Sequence, residues 1–185
     1  FLFNDRMKSQ DSLPSLINPK LIVFDLDFTL WDCGGTWCDC LTPPFLARDG
    51  KVFDHQQAEV KLYCDVGKIL NYCDEAGIGL AIASRTEQPE WARQLLCLLQ
   101  IDGRFPFSEI YPTDKVKHFT SIRHQAGIEY HEMLFFDDEL RNIHDVKSLG
   151  VISIHVSNGM TFNVLKHGLR EFQKHFTEDA SEKID

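Results

Sequence analysis

The stretch KLIVFDLDFTL, residues 20–30, decides the fold. Its apolar run LIVF, residues 21–24, is rich in β-favouring residues. Such a run reads as a strand buried on both faces, as in a parallel sheet. Asp25 and Asp27 stand at its end, separated by Leu26 and followed by Thr29. Open α/β sheets bind ligands outside the carboxyl ends of their strands. Two acids there are costly beside an apolar core unless a cation or a hydrogen-bond network compensates them. Alone, D-x-D-x-T serves equally well as a solvated strand end, so the rest of the chain has to decide.

Working outward, the first strand is expected over residues 20–26, after an irregular, proline-containing arm at residues 1–19. Residues 31–62 lack helical periodicity. Their alternating pieces KVFDH and AEVKLY suit a small β-excursion or a long loop. A helix is expected over residues 65–76, with Val66, Ile69, Leu70 and Cys73 on its inner face and Gly77 as its stop. IGLAIA, residues 78–83, is a second buried strand ending at Ser84. Residues 87–100 form a helix with Trp91, Leu95, Leu98 and Leu99 inward and Pro89 in its first turn. A short strand follows at 107–111, then a helix at 115–126 capped by Thr113 or Asp114. Residues 133–136 are a third apolar strand, ending at Asp137 and Asp138. A helix at 139–149, a strand at 151–156, a last helix at 161–176 and a charged, frayed tail at 177–185 complete the chain. Alternation of this kind gives an α/β fold, a mainly parallel sheet between two helical layers.

The 185 residues suffice for one domain with a sizeable core. The net charge of −9 and the absence of any basic block argue against nucleic acid as a partner. They do not exclude phosphate substrates, because a bound divalent cation reverses the local field. No apolar run approaches the roughly 18 residues that span a bilayer, and the first residues do not resemble a signal peptide. Cys33, Cys38, Cys40, Cys64, Cys73 and Cys97 form no C-x-x-C pair. They are expected to be reduced thiols, in a cytoplasmic or nuclear protein. Cys33, Cys38 and Cys40 cluster around Asp39, but no second ligand pair accompanies them as a soft metal site needs.

Three strand ends therefore carry polar groups toward one sheet edge: Asp25 with Asp27, Ser84, and Asp137 with Asp138. Lys115 opens a helix after a strand and joins them there. Singly, each has a plainer use. Ser84, Asp137 or Asp138 would serve as helix caps, and Lys115 as a solvated surface lysine. Four separate pieces of chain meeting at one edge suit phosphoryl transfer. One carboxylate attacks phosphorus, and a second shuttles the proton. A hard cation, a lysine and a hydroxyl balance the phosphoryl charge.

In order, DLDFT, Ser84, Lys115 and FFDD resemble the four motifs of the haloacid dehalogenase-like superfamily. FDLDFTLW, PPF at 43–45, ASRT at 83–86, EIYPTDKVKHF at 109–119 and FFDDELRNIHDVKSLGV at 135–151 are similar to its eukaryotic magnesium-dependent phosphatase branch. The likeness covers residues 19–176. It implies a Rossmann-like three-layer domain over residues 20–176, without a large cap, and a flap at 31–62. It implies a Mg²⁺-dependent phosphomonoesterase working through an aspartyl phosphate. Asp25 would be the nucleophile and Asp27 the general acid/base. Asp25, the Asp27 carbonyl and Asp137 would hold Mg²⁺, with Asp138 in support. Ser84, Arg85 and Lys115 would bind the phosphate, and Thr29 would support the loop. Phe28 replaces the Tyr often found in that branch, and DCGGTWCDCLT, residues 32–42, is unusually rich in Cys and Gly.

Residues 86–114 leave no room for a large lid, so an open site should admit a phosphate on a bulky molecule. Phosphotyrosine and protein-linked or other sugar phosphates are the classes the resemblance implies, on a small molecule or a protein. Trp31, Trp37 and Phe45 are candidates for an aromatic contact with it, although core packing suits at least two of them better. A monomer without membrane or nucleic-acid partners is expected. The competing readings are a phosphotransferase, which needs a lid to exclude water, and a phosphate-reading binding module without turnover. The intact set of acids and Lys115 argues against the second. A halidohydrolase has no need of Asp27. A phosphate-receiver domain has its acids in the opposite order.

Overall fold

A computed structural model describes residues 17–181, with side chains described through residue 176. Most of the expected N-terminal arm and the end of the tail lie outside these residues. The central sheet holds β1 (Leu21–Phe24), β6 (Gly79–Ser84), β7 (Phe107–Ile110), β8 (Met133–Asp137) and β9 (Ile152–His155). Its order is β7-β6-β1-β8-β9, and every pairing is parallel. The helices are α1 (Val66–Glu75), α2 (Pro89–Leu98), α3 (Lys115–Ala126), α4 (Leu140–Lys147) and α5 (Phe162–Ser181).

The two-residue period of a strand sorts the LIVF run between two layers. Leu21 and Val23 pack with Phe119 and Ile122 of α3 and Val146 of α4. Ile22 and Phe24 pack with Ile69 of α1, Leu95 of α2 and Leu165 of α5. The expected three-layer α/β architecture is the observed one. α5 crosses the sheet so closely that a Cβ at Gly168 would lie 2.6 Å from the Phe136 ring, so only glycine fits there.

The segment between β1 and α1 is the β-excursion of the two alternatives. β2 (Trp31–Asp32), β3 (Leu46–Arg48), β4 (Lys51–Phe53) and β5 (Glu59–Leu62) form an antiparallel sheet in the order β2-β5-β4-β3. Asp49 and Gly50, with φ of 52° and 74°, make the β3–β4 turn. Two consecutive left-handed residues give the turn whose twist matches a hairpin.

Two details differ from the sequence reading. In α2 the buried residues are Ala92, Leu95 and Leu96, while Trp91, Leu98 and Leu99 are half-buried. Ala92 and Leu96 join Leu95 in the core, and the expected Trp91, Leu98 and Leu99 pack against the same core from its edge. The last helix continues to Ser181, through residues placed in the frayed tail. Among the described residues no helix is long and apolar enough to cross a membrane.

Candidate active site

β1 is the middle strand and its neighbours β6 and β8 run parallel to it, so all three carboxyl ends open on one side. There, Asp25, Asp27, Ser84, Arg85 and Asp138 line an open cleft of about 220 Å³. Asp137 and Lys115, which are 0% and 1% exposed, lie buried behind Asp25. Asp25, Asp27, Ser84, Arg85, Lys115, Asp137 and Asp138 are thus all in or directly behind one cleft.

Lys115 is placed by the start of α3, where Asp114 caps the helix by accepting the Lys117 N–H at 2.9 Å. Its ammonium donates to Asp25 Oδ1 at 2.5 Å, lies 3.0 Å from Asp137 Oδ2 and also donates to the Ala83 carbonyl. A buried ammonium has three donors, and these three acceptors satisfy them. Burial alone would favour its neutral form, but Asp25 and Asp137 outweigh that and raise its pKa. Burial, with Asp137 and Asp27 nearby, holds the Asp25 carboxyl well above the ordinary carboxylate range against the pull of Lys115.

Asp27 is gripped by the flap. Its Oδ1 accepts the Trp31 indole N–H at 2.7 Å, the Cys38 backbone N–H at 3.0 Å and the Cys33 thiol at 3.5 Å. The loop can double back this tightly because Phe28 adopts a left-handed φ of 54° and the Leu26 carbonyl accepts from Thr29, Leu30 and Trp31. A left-handed aromatic residue costs on the order of 1–3 kcal/mol, a strain typical of functional loops. Burial raises the Asp27 pKa, and the three hydrogen bonds only partly oppose it. Burial likewise keeps Cys33 and Cys38 well above the usual thiol range, so they act as neutral thiols.

Asp137 is held from the other side. Asn142 Nδ2 donates to both its oxygens, at 3.0 and 3.1 Å, and the Glu139 N–H donates to Oδ1 at 2.7 Å. Asp138 is pushed up to about 6 by burial and by Asp137 and Glu139. Carboxylate oxygens of Asp25, Asp137 and Asp138 all lie within 4.8 Å of one another. Three hard oxygen donors, facing one buried ammonium, fit a divalent cation of the magnesium type. Such a cation would reverse the upward pKa pressure on this acidic cluster.

Arg85 lines the wall but is engaged there. Nε donates to the Thr113 carbonyl at 3.0 Å, and Nη1 donates to Asn142 Oδ1 at 3.3 Å and pairs with Glu139 at 3.5 Å. Ser84, 2% exposed, closes β6. Thr29 is fully buried. Its carbonyl accepts the Met160 N–H at 2.9 Å, while its hydroxyl has no hydrogen-bond partner among the described residues. Of the three aromatic candidates, Trp31 and Phe45 are core. Trp37 is 54% exposed on the cleft rim, with its ring 5.9 Å from that of Phe28, edge to face. The six cysteines are all unpaired.

The sequence reading missed the grip of Trp31, Cys33 and Cys38 on Asp27, and the clamp of Asn142 on Asp137. Asn142 carries a weak signal, a buried amide in the first turn of a helix that follows two acids. It also missed Asp39 and Thr86, which line the same cleft.

The family model described as acid phosphatase matches residues 17–175. Magnesium-dependent phosphatase 1 of Homo sapiens is 45% identical over 158 residues, covering 84% of this chain and 88% of that protein. A HAD-like hydrolase superfamily protein of Schizosaccharomyces pombe is 37% identical over 160 residues, covering 80% of this chain and 91% of that protein. Among solved structures, a haloacid dehalogenase-like family hydrolase from Streptococcus pneumoniae aligns with a TM-score of 0.56 at 14% identity, over 85% of this chain and 98% of that one. The N-terminal part of a Bacteroides fragilis protein, containing a phosphatase domain complexed with Mg, aligns with a TM-score of 0.60 at 15% identity. That match covers 81% of this chain and 40% of that one. At such identities these two matches show a shared fold.

Proposed function

Since the chain belongs to the acid phosphatase family, and within the haloacid dehalogenase-like superfamily to its magnesium-dependent phosphatases, we propose that it hydrolyses phosphate monoesters through an aspartyl phosphate on Asp25. The observation that carries this reading is the convergence of Asp25, Asp27, Asp137, Asp138 and Lys115 on one cleft.

Asp25, the Asp27 backbone carbonyl and Asp137 would hold Mg²⁺, with Asp138 beside them. Bound there, the ion neutralises charge on the phosphoryl group and on the attacking carboxylate. Lys115 fixes the Asp25 carboxylate through Oδ1. An Asp25 oxygen bonds to phosphorus as the ester P–O bond breaks, and Asp27 gives its proton to the leaving oxygen. All three hydrogen bonds to Asp27 converge on Oδ1, so Oδ2 carries that proton. Asp27 then takes a proton from a water whose oxygen attacks phosphorus. The P–O bond to Asp25 breaks, inorganic phosphate leaves, and both acids return to their starting states. Ser84 binds a phosphoryl oxygen, with Arg85 at the wall, and Lys115 joins it by turning one N–H from its present acceptors, Asp25, Asp137 and the Ala83 carbonyl, to the phosphoryl group.

The cleft is open, and its rim carries an exposed tryptophan. This supports phosphates on bulky or cyclic bodies, phosphotyrosine and protein-linked or other sugar phosphates, over small free metabolites. The test is phosphate release from an aryl phosphate with Mg²⁺, then with excess chelator, then with Mg²⁺ restored. Turnover should stop and return. Undiminished turnover in chelator, or none in any condition from folded protein, would refute the reading.

A further inference from the structure

Asp39 is a carboxylate on the wall of a cleft built for an anion. There it repels the substrate unless it has other work. Its oxygens are taken up by the opposite wall. Oδ1 accepts from the Thr86 hydroxyl, and Oδ2 accepts the Glu87 N–H at 3.3 Å. Thr86 is 5% exposed and tied at the root of α2, where Oγ1 accepts the Gln88 N–H at 3.0 Å. The Cys38 thiol lies 3.2 Å from the same Oγ1. Asp39 is the middle residue of the 3-10 turn Cys38–Cys40. The first N–H of that turn, on Cys38, is one of the donors that fix Asp27 Oδ1. A continuous path therefore runs from the loop after Ser84, through Thr86 and Asp39, to the turn that holds Asp27.

We propose that Asp39 is a positioning residue, a strap that fastens the flap turn to the Thr86 loop and so aims Asp27 at the leaving oxygen. The proposal rests on the phosphatase reading above and adds to it a role for the flap segment 32–42. General-acid help matters most when the leaving oxygen is basic. A loosened strap should therefore penalise phenyl phosphate, a poor leaving group, more than p-nitrophenyl phosphate, a good one.

The experiment compares kcat and KM for these two esters in the wild type, Asp39→Ala, Asp39→Asn, Thr86→Val and the Asp39→Ala/Thr86→Val double variant, all with Mg²⁺. Amide hydrogen exchange at Cys38 is followed in the same proteins. For Asp39→Ala, kcat/KM, which covers the step that expels the alcohol, should fall about tenfold more on phenyl phosphate than on p-nitrophenyl phosphate, a fraction of the 10²–10⁴ that a placed acid contributes. KM should change little, and the Cys38 amide should exchange faster. Asp39→Asn keeps an acceptor for the Thr86 hydroxyl and should recover most of the loss. Thr86→Val should repeat the Ala pattern, and the double variant should add little to either.

Equal losses of kcat/KM on both esters would overturn the proposal. So would an effect confined to KM and shared by Ala and Asn, which marks Asp39 as a charge filter for substrate. A wild type inactive on both esters would sink the phosphatase reading itself. Unchanged Cys38 exchange in Asp39→Ala would then also reject the strap.

Discussion

Lys115 Nζ donates to Asp25 Oδ1 at 2.5 Å from a position with no solvent exposure, and the same ammonium lies 3.0 Å from Asp137. One cation thus holds the proposed nucleophile and the proposed metal ligand in a fixed relation. Removing it leaves two buried carboxylates facing each other.

Lys115→Met should therefore harm both stability and turnover. Breaking a buried ion pair by removing one partner costs about 3–5 kcal/mol, less whatever Asp25 and Asp137 recover by taking up a proton. The loss of one preorganised donor to the phosphoryl group is worth about 10²–10³ in kcat. Thermal unfolding and phosphate release with Mg²⁺ check both. A variant as stable as the wild type would show that Lys115 is not the main compensator of this acid cluster.

Asp27→Asn should lower kcat by about 10²–10⁴, since an amide cannot supply or accept the proton. Its Mg²⁺ affinity should stay within a few-fold of wild type, because the proposed ligand is the backbone carbonyl. Calorimetric titration with Mg²⁺ decides between this and a side-chain ligand, which would lose binding together with activity.

Asn142→Ala removes the two hydrogen bonds from its amide that help orient Asp137, at 3.0 and 3.1 Å, and leaves the Glu139 N–H and Lys115 in place. Loss of such an outer support typically costs about 10–100-fold in metal affinity. The Mg²⁺ concentration for half-maximal activity should rise by that factor while kcat at saturating Mg²⁺ changes less. An unchanged Mg²⁺ dependence would place the metal away from Asp137.

His118 supplies a pH dependence of stability. It is fully buried, its Nε2 meets the Tyr111 carbonyl at 3.0 Å, and its Nδ1 has no hydrogen-bond partner among the described residues. Burial and the nearby Lys115 charge lower its pKa from 6.5 to about 4. Between those values the unfolded chain binds the proton and the folded chain does not. This contribution is therefore fully present above pH 6.5 and is lost as pH falls toward 4, by up to about 1.4 kcal/mol per pH unit. An NMR titration of the ring should find His118 neutral at about pH 5. A midpoint near 6.5 would contradict the buried neutral ring.

Much of the fold was legible because its signals are local. LIVF at 21–24, IGLAIA at 78–83 and the apolar run before Asp137 are short runs bounded by turn residues, and each became a strand of the parallel sheet. Strand ends in such a sheet share an edge, so Asp25, Ser84 and Asp137 could be placed together without coordinates. The grip on Asp27 was not legible. It depends on a left-handed Phe28 and on a turn eleven residues further along that folds back over it. Neither has a periodic signature. Ala92 and Leu96 were missed on the inner face of α2 because its apolar residues surround more than half the helix; the expected Trp91, Leu98 and Leu99 pack against the same core from its edge. The Asp39–Thr86 contact joins residues 47 apart through two side chains, which no spacing rule reaches.

The central claim is the covalent route through Asp25, and the stereochemical course at phosphorus tests it most directly. Hydrolysis of an aryl phosphate monoester made chiral with oxygen isotopes, with Mg²⁺ present, passes phosphorus through two in-line displacements if Asp25 forms an ester. Each displacement inverts, so net retention of configuration is expected. Net inversion would mean a single attack by water and would contradict an aspartyl phosphate.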